Sequence, residues 1–216
     1  MQHGGVRTYR VRRRMTDQKR ASLAANGRYL VSAPEDSTVD LDGLFGRPAP
    51  RVLDVGFGHG ESTAATAAAL PDHDVLAVDV HTPGVADLLT RLAAGHLENV
   101  RVMEADVVPL LDRLPAAAFV RVQVFFPDPW PKTRHHRRRL VGPPFVGQVA
   151  RLLAPAGVLH VATDSASYAG TARTAMAADP DLRPVPIGRE GRPVTRFEAR
   201  AHRAGRPVHE LAAVRT

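Results

Sequence analysis

From position 51 onward the chain alternates short, continuous apolar runs with longer segments of mixed character. Arg51–Val55, Val75–Val80, Val100–Met103 and Ala118–Phe126 read as buried strands. Glu61–Leu70 is rich in alanine and reads as a helix. Pro83–Gly95 reads as another, with proline in its first turn and glycine at its end. Val107–Leu114, Phe145–Leu153 and Tyr168–Ala178 are further helices, and Gly157–Thr163 is a fifth strand. Arg183–Ile187 and Val208–Val214 supply two last strands. This alternation predicts an α/β fold: a mostly parallel, seven-stranded sheet with helices on both faces.

The upstream third is less regular. Residues 32–50 are rich in Pro, Gly and Asp and read as a connecting loop. Residues 16–26 open on a capping candidate, Thr16, and stop near Gly27, which suits a short helix. The organisation expected is a basic arm and short helix over 1–28, then one domain over 29–216. A chain of 216 residues can bury one sizeable core. No apolar run approaches the roughly 20 residues that span a bilayer. No apolar segment follows the N-terminal arginines as it would in a signal peptide. No membrane partner is therefore expected. Cysteine is absent, which excludes disulfides, a thiolate nucleophile and a cysteine zinc site. That composition is compatible with a reducing cytoplasm, the location expected.

Charge changes the picture. Residues 1–28 hold eight basic side chains (Arg7, Arg10, Arg12, Arg13, Arg14, Lys19, Arg20, Arg28) against one acid, Asp17, and so carry the whole net charge of +7. The remainder is neutral. A neutral body with a cationic arm suits a polyanionic partner; a solvated tail is the plainer alternative. With 27 arginines and two lysines in the chain, Lys19 and Lys132 stand out, because an ammonium and a forked guanidinium suit different sites.

The first strand runs into Asp54-Val-Gly56-Phe-Gly58-His-Gly60. Glycines at alternate positions, where a strand turns into a helix, let backbone approach a ligand. A nicotinamide-type fingerprint needs glycine at position 61, which is Glu61 here. The remaining pattern fits S-adenosylmethionine, whose amino group and sulfonium favour a carboxylate such as Asp54. Asp79 ends the second strand, where it can accept from ribose hydroxyls. Asp106 follows the third, where it can hold an adenine amine or orient the wall. A tight turn explains one glycine loop, but not three acids at three successive strand ends.

The fourth strand leads into Phe125-Phe-Pro127-Asp128-Pro129-Trp130-Pro131-Lys132. Three prolines fix φ and restrict their predecessors, so this loop is stiff before any ligand arrives. Trp130 is the sole tryptophan and serves either as a packing anchor or as a base-stacking platform. Arg134 and Arg137–Arg139 form either a phosphate-binding surface or a solvated charge run. His135 and His136 lack further ligands at a fitting spacing, so no metal is expected.

This loop, continuing through Thr-Arg-His-His-Arg-Arg-Arg-Leu140, closely resembles that of the bacterial tRNA (guanine-N7-)-methyltransferases. Arg14-Met-Thr-Asp-Gln18, Gly56–Gly60, Val80-His-Thr-Pro-Gly84, Ala162-Thr-Asp164 and Arg192-Pro-Val-Thr195-Arg196-Phe197-Glu198, then Gly205, continue the resemblance in order. It implies a Rossmann-like class I methyltransferase using S-adenosylmethionine, with tRNA as partner. It also implies cofactor contacts at Asp54, Asp79, Asp106 and Asp128, around the loop glycines Gly56, Gly58 and Gly60. Substrate contacts are implied at Lys132, Asp164, Thr195, Arg196, Phe197 and Glu198, with Asp128 in the catalytic position. The first two acids are Asp where that family often has Glu, and Arg196 stands where Lys is usual. Rival readings are a methyltransferase of small molecules or proteins and a non-catalytic RNA-binding protein. Monomer and homodimer are both compatible with the sequence.

Overall fold

The computed structural model describes residues 15–34, 36–189 and 191–216. The basic arm over 1–14 lies outside the described residues. Seven strands form one sheet in the order β3-β2-β1-β4-β5-β7-β6. They are β1 Arg51–Val55, β2 Asp74–Asp79, β3 Val100–Glu104, β4 Phe119–Phe125, β5 Leu153–Thr163, β6 Leu182–Val185 and β7 His209–Arg215. The first five run parallel, and β7 runs antiparallel to both β5 and β6. The expected mostly parallel sheet is therefore observed.

Eight α-helices lie among the described residues: α1 Asp17–Ala25, α2 Leu41–Phe45, α3 Glu61–Ala69, α4 Thr82–Ala94, α5 Val107–Leu111, α6 Pro143–Leu152, α7 Ala166–Ala178 and α8 Arg196–Arg203. Two apolar clusters sandwich the sheet. One is built on Leu53, Leu76, Phe119, Val146 and Tyr168, the other on Val52, Val75, Leu88, Leu89 and Leu92. Central strands covered on both faces must be apolar along their whole length, which is why β1 and β2 read as unbroken runs. No helix among the described residues is long and apolar enough to cross a membrane.

Three elements depart from the sequence reading. Residues 32–50 are not all loop: Asp40 caps the short α2 by accepting from the Gly43 N–H at 2.9 Å. Residues 133–138 form a 3-10 helix. Helix α8 was not among the expected helices, because only Glu198 and Ala201 on it are buried and it has no apolar stripe, although Thr195-Arg-Phe-Glu198 is a capping sequence. The Thr16 cap is as expected, its hydroxyl accepting from the Lys19 N–H. Lys19 then pins α1 onto α4, donating to the Pro83 carbonyl at 2.9 Å and to Asp87 at 2.8 Å.

Candidate functional site

The chain passes from β1 outward to β3 and returns to β4 on the other side of β1. That reversal opens a crevice at the carboxyl ends of the strands, the usual ligand position in such sheets. A cavity of about 330 Å³ lies there, within the range of small-molecule sites.

The glycine loop forms its floor. Gly56, Gly58 and Gly60 have φ of +71°, +61° and +73°, a region that side-chain-bearing residues rarely adopt. Helix α4 crosses so closely that a Cβ on Gly84 would sit 1.9 Å from the Gly58 carbonyl oxygen. The Gly58 N–H donates to Asp79 at 2.8 Å and the His81 N–H donates to its other oxygen at 2.9 Å. Burial raises the Asp79 carboxyl above its ordinary value against these two bonds.

Asp54 is buried at the end of β1 and accepts from the Thr63 hydroxyl at 2.6 Å. Burial pushes its carboxyl up to about 6, opposed by hydrogen bonds from Thr63 and Gln123 and reinforced by the charge of Asp79. Two carboxylates at neighbouring strand ends, set in apolar walls of Val55, Val78 and Val107, make a site short of positive charge. Its chemistry suits a ligand with a cationic group and hydroxyl donors.

Asp128 faces them from the proline loop. It is exposed at the cavity mouth, and partial burial of its carboxyl raises it above the usual value. The loop is fixed at both ends. Phe126 and Trp130 hold positive φ of 51° and 42°, costly for such side chains. Arg139 is buried and donates to the Pro129 carbonyl at 3.1 Å while its other nitrogens bond Ser167 and Thr171. Arg139 is thus a correction to the proposed phosphate surface: its guanidinium is spent inside the protein. Arg138 lies over the Trp130 ring at 4.9 Å, and His135 meets that ring edge-on. Packing is accordingly part of what Trp130 does, while the same side chain also lines the cavity.

The third wall comes from the C-terminal segment. Thr195 caps α8 through the Glu198 N–H. Phe197, 45% exposed, lies over Gly58 and stacks near His59, with ring centres 6.2 Å apart. Arg196 grips Glu61 at the start of α3 through its backbone N–H and its guanidinium. Burial works against ionisation of Glu61, but these bonds hold its carboxyl below the ordinary value.

The structure therefore brings Asp54, Gly56, Gly58 and Asp79 together with Asp128, Thr195 and Phe197. The other expected residues are not on the cavity wall. Gly60 shapes the turn from behind, where a Cβ would strike Leu88 at 2.6 Å. Asp106 caps α5, accepting from Val108 at 3.0 Å, and so fixes the Ala105–Val107 turn that does line the cavity. Lys132 is exposed beside the loop. Asp164 accepts from Arg206 at 2.8 Å. Glu198 is buried, its oxygens taken by Arg189 at 2.8 Å and Arg192 at 2.6 Å. Sequence reasoning missed His59, whose ring is held 2.6 Å from Asp87, and the Arg192–Glu210–His160 cluster. Only the position of Arg192 inside an unusual motif hinted at the latter.

Comparison with known proteins gives a consistent result. Residues 48–211 match a family described as putative methyltransferase. A tRNA (guanine-N(7)-)-methyltransferase of Alkalilimnicola ehrlichii is 49% identical over 84% of this chain and 79% of its own length. One from Halorhodospira halophila is 45% identical over 90% of this chain and 87% of its own. Among solved structures, the 16S rRNA methyltransferase KamB superposes with a TM-score of 0.57 at 19% identity, over 86% of this chain and 98% of that one. At that identity the likeness speaks for the fold alone.

Proposed function

The chain belongs to the tRNA (guanine-N7-)-methyltransferase family, and from that premise we propose that it methylates N7 of the variable-loop guanosine of tRNA, using S-adenosylmethionine, in the cytoplasm. The observation that carries this reading is the cavity itself. Asp54 and Asp79 line one side, and Asp128 faces them on a loop stiffened by proline. Residues 29–216 act as one methyltransferase domain, with 1–28 as its RNA-engaging extension.

The cofactor fits the residues present. Its cationic amino group matches the buried, charge-starved Asp54, and its ribose hydroxyls match Asp79, whose oxygens keep lone pairs beyond the two backbone N–H groups they accept. When bound, it supplies an electrophilic methyl group, which the in-plane lone pair of guanine N7 can take without a general base.

The protein's own work is alignment and electrostatics. As N7 is methylated, the purine becomes cationic. Asp128, to which no described residue donates a hydrogen bond, is placed to stabilise that charge. Phe197 and Trp130 supply flat apolar walls suited to a base. Glu198 is committed to two arginines and Asp164 to Arg206, so guanine selection by either requires that they exchange partners. Exposed Lys132, Arg134 and Arg137 suit phosphate contacts.

The test is methyl transfer from labelled S-adenosylmethionine to unmodified tRNA, followed by chain cleavage specific to N7-methylguanosine. Cleavage at a variable-loop guanosine is expected. Asp128→Asn should lower turnover roughly 10²–10³-fold, the scale for one preorganised electrostatic group. Near-normal turnover would remove Asp128 from the chemistry.

A further inference from the structure

One buried cluster outside the cavity is not accounted for by this reading. Arg192, 6% exposed, donates to Glu198 at 2.6 Å and to Glu210 on β7. Glu210 shares a hydrogen bond of 2.8 Å with the ring of His160 on β5. His160 in turn meets the Phe125 ring edge-on, with centres 4.9 Å apart. The Arg192 guanidinium closes the circuit, lying 5.1 Å from the Phe125 ring centre and 5.3 Å from that of Phe126. Burial opposes ionisation of Glu210, but bonds from His160 and Arg192 hold its carboxyl below the ordinary value.

Placement gives this cluster its meaning. Phe125 ends β4, and Phe126 is the strained residue just before Pro127-Asp128. Arg139 fixes the far side of the same loop through Pro129. The near side has Phe125 paired with Ala162 in the sheet, the Phe126 N–H bonded to Ala162, the His160 ring edge-on to Phe125, and the two aromatic faces on which Arg192 rests. A planar guanidinium can stack on two rings while both ends of its fork bond carboxylates; an ammonium cannot do both.

We propose that Arg192 is a positioning residue for methyl transfer, which holds the Phe125–Trp130 loop, and through it Asp128, at the cavity. This rests on the assignment of Asp128 above. Arg192 is buried and does not line the cavity, so its contribution belongs in kcat and in loop order, with little effect on KM for either substrate.

Trp130, the sole tryptophan, lies in that loop and reports its order without any reaction. In the full-length protein, Arg192→Lys keeps the charge and removes the stacking fork. Expected results are a red-shifted and more quenchable Trp130 emission and a 10- to 100-fold fall in kcat. KM for S-adenosylmethionine and for tRNA should stay within threefold. Adding Asp128→Asn to Arg192→Lys should cost far less than Asp128→Asn alone, because the acid is already displaced. Should Arg192→Lys fold poorly, Glu210→Gln removes one of the two carboxylates that hold Arg192 and leaves the other, Glu198, in place, and should shift emission and kcat in the same directions. Unchanged emission together with unchanged kcat overturns the proposal. Lost kcat with unchanged emission also overturns it, and makes Arg192 a direct substrate contact. Loosened emission with full kcat breaks the link from loop to chemistry. A large loss for Asp128→Asn alone would then leave the assignment of that acid intact.

Discussion

Asp54 carries a measurable cost in the ligand-free protein. Its carboxyl is raised from 3.8 to about 6 by burial, with the neighbouring charge of Asp79 adding to the rise. The folded state therefore binds a proton at Asp54 more tightly than the unfolded chain does. Stability from this source is fully present below pH 4 and is lost as pH rises through 6. The shift corresponds to as much as about 3 kcal/mol at pH 8. Asp54→Asn removes the buried charge and keeps an oxygen for the Thr63 hydroxyl, 2.6 Å away. The variant should be more stable than the parent at pH 8, by about 2–3 kcal/mol. At about 2–4 °C per kcal/mol for a chain of this size, that is a rise in Tm of about 4–12 °C. Near pH 4 the two proteins should melt together. Affinity for S-adenosylhomocysteine should fall sharply in the same variant, because in the proposed function Asp54 is the partner of the cationic amino group. Thermal unfolding at several pH values, with titration calorimetry beside it, measures both. A variant less stable than the parent at pH 8, or a difference independent of pH, would refute the reasoning.

Other sites give simpler outcomes. Gly84→Ala drives a Cβ into the Gly58 carbonyl and toward the His81 ring; a loss of about 1–3 kcal/mol is expected in denaturant melts, with weakened binding of S-adenosylhomocysteine. Lys19→Ala removes two of the hydrogen bonds that hold α1 on α4 and leaves those of Ser22; it should cost about 1.5–3 kcal/mol as a charged hydrogen bond does, lowering Tm. Deleting residues 1–14 removes five arginines and no acid; tRNA affinity should fall, and the slope of log affinity against log salt should flatten by ~0.7 for each phosphate that the arm neutralises. An unchanged slope would make the arm a bystander.

What the sequence made legible follows from where each signal is written. Strands β1 and β2 announce themselves because burial on both faces forces consecutive apolar residues, and Asp54 and Asp79 are conspicuous as acids ending such runs. The glycine loop was readable because its backbone conformation admits little else. Helix α8 was missed: its Thr195 cap is local, but it has no apolar stripe, and one of its anchors is distant in sequence, Arg196 reaching Glu61 135 positions away. The partners in the buried cluster are equally remote, with Arg192 18 residues from Glu210 and Glu210 50 from His160. No local pattern encodes such pairs. Arg139 misled for a related reason, since a run of arginines gives no sign of which one turns inward.

The two halves of the charge distribution do different work. The basic excess is confined to residues 1–28, while the cavity gathers Asp54, Asp79 and Asp128. An acidic interior cannot draw a polyanion in; it repels phosphate and leaves the backbone of an RNA outside, where exposed Lys132, Arg134 and Arg137 lie. What it suits, in the proposed function, is a cationic cofactor and a base that becomes cationic on reaction. Asp54 and Asp79 each have a carboxyl raised by burial, and the charge of Asp79 adds to the strain at Asp54. A ligand bringing positive charge relieves both at once, so part of its affinity comes from cost already present in the empty fold. The same relief predicts that cofactor binding strengthens as pH rises through 6, since below that Asp54 is protonated and offers no charge to meet.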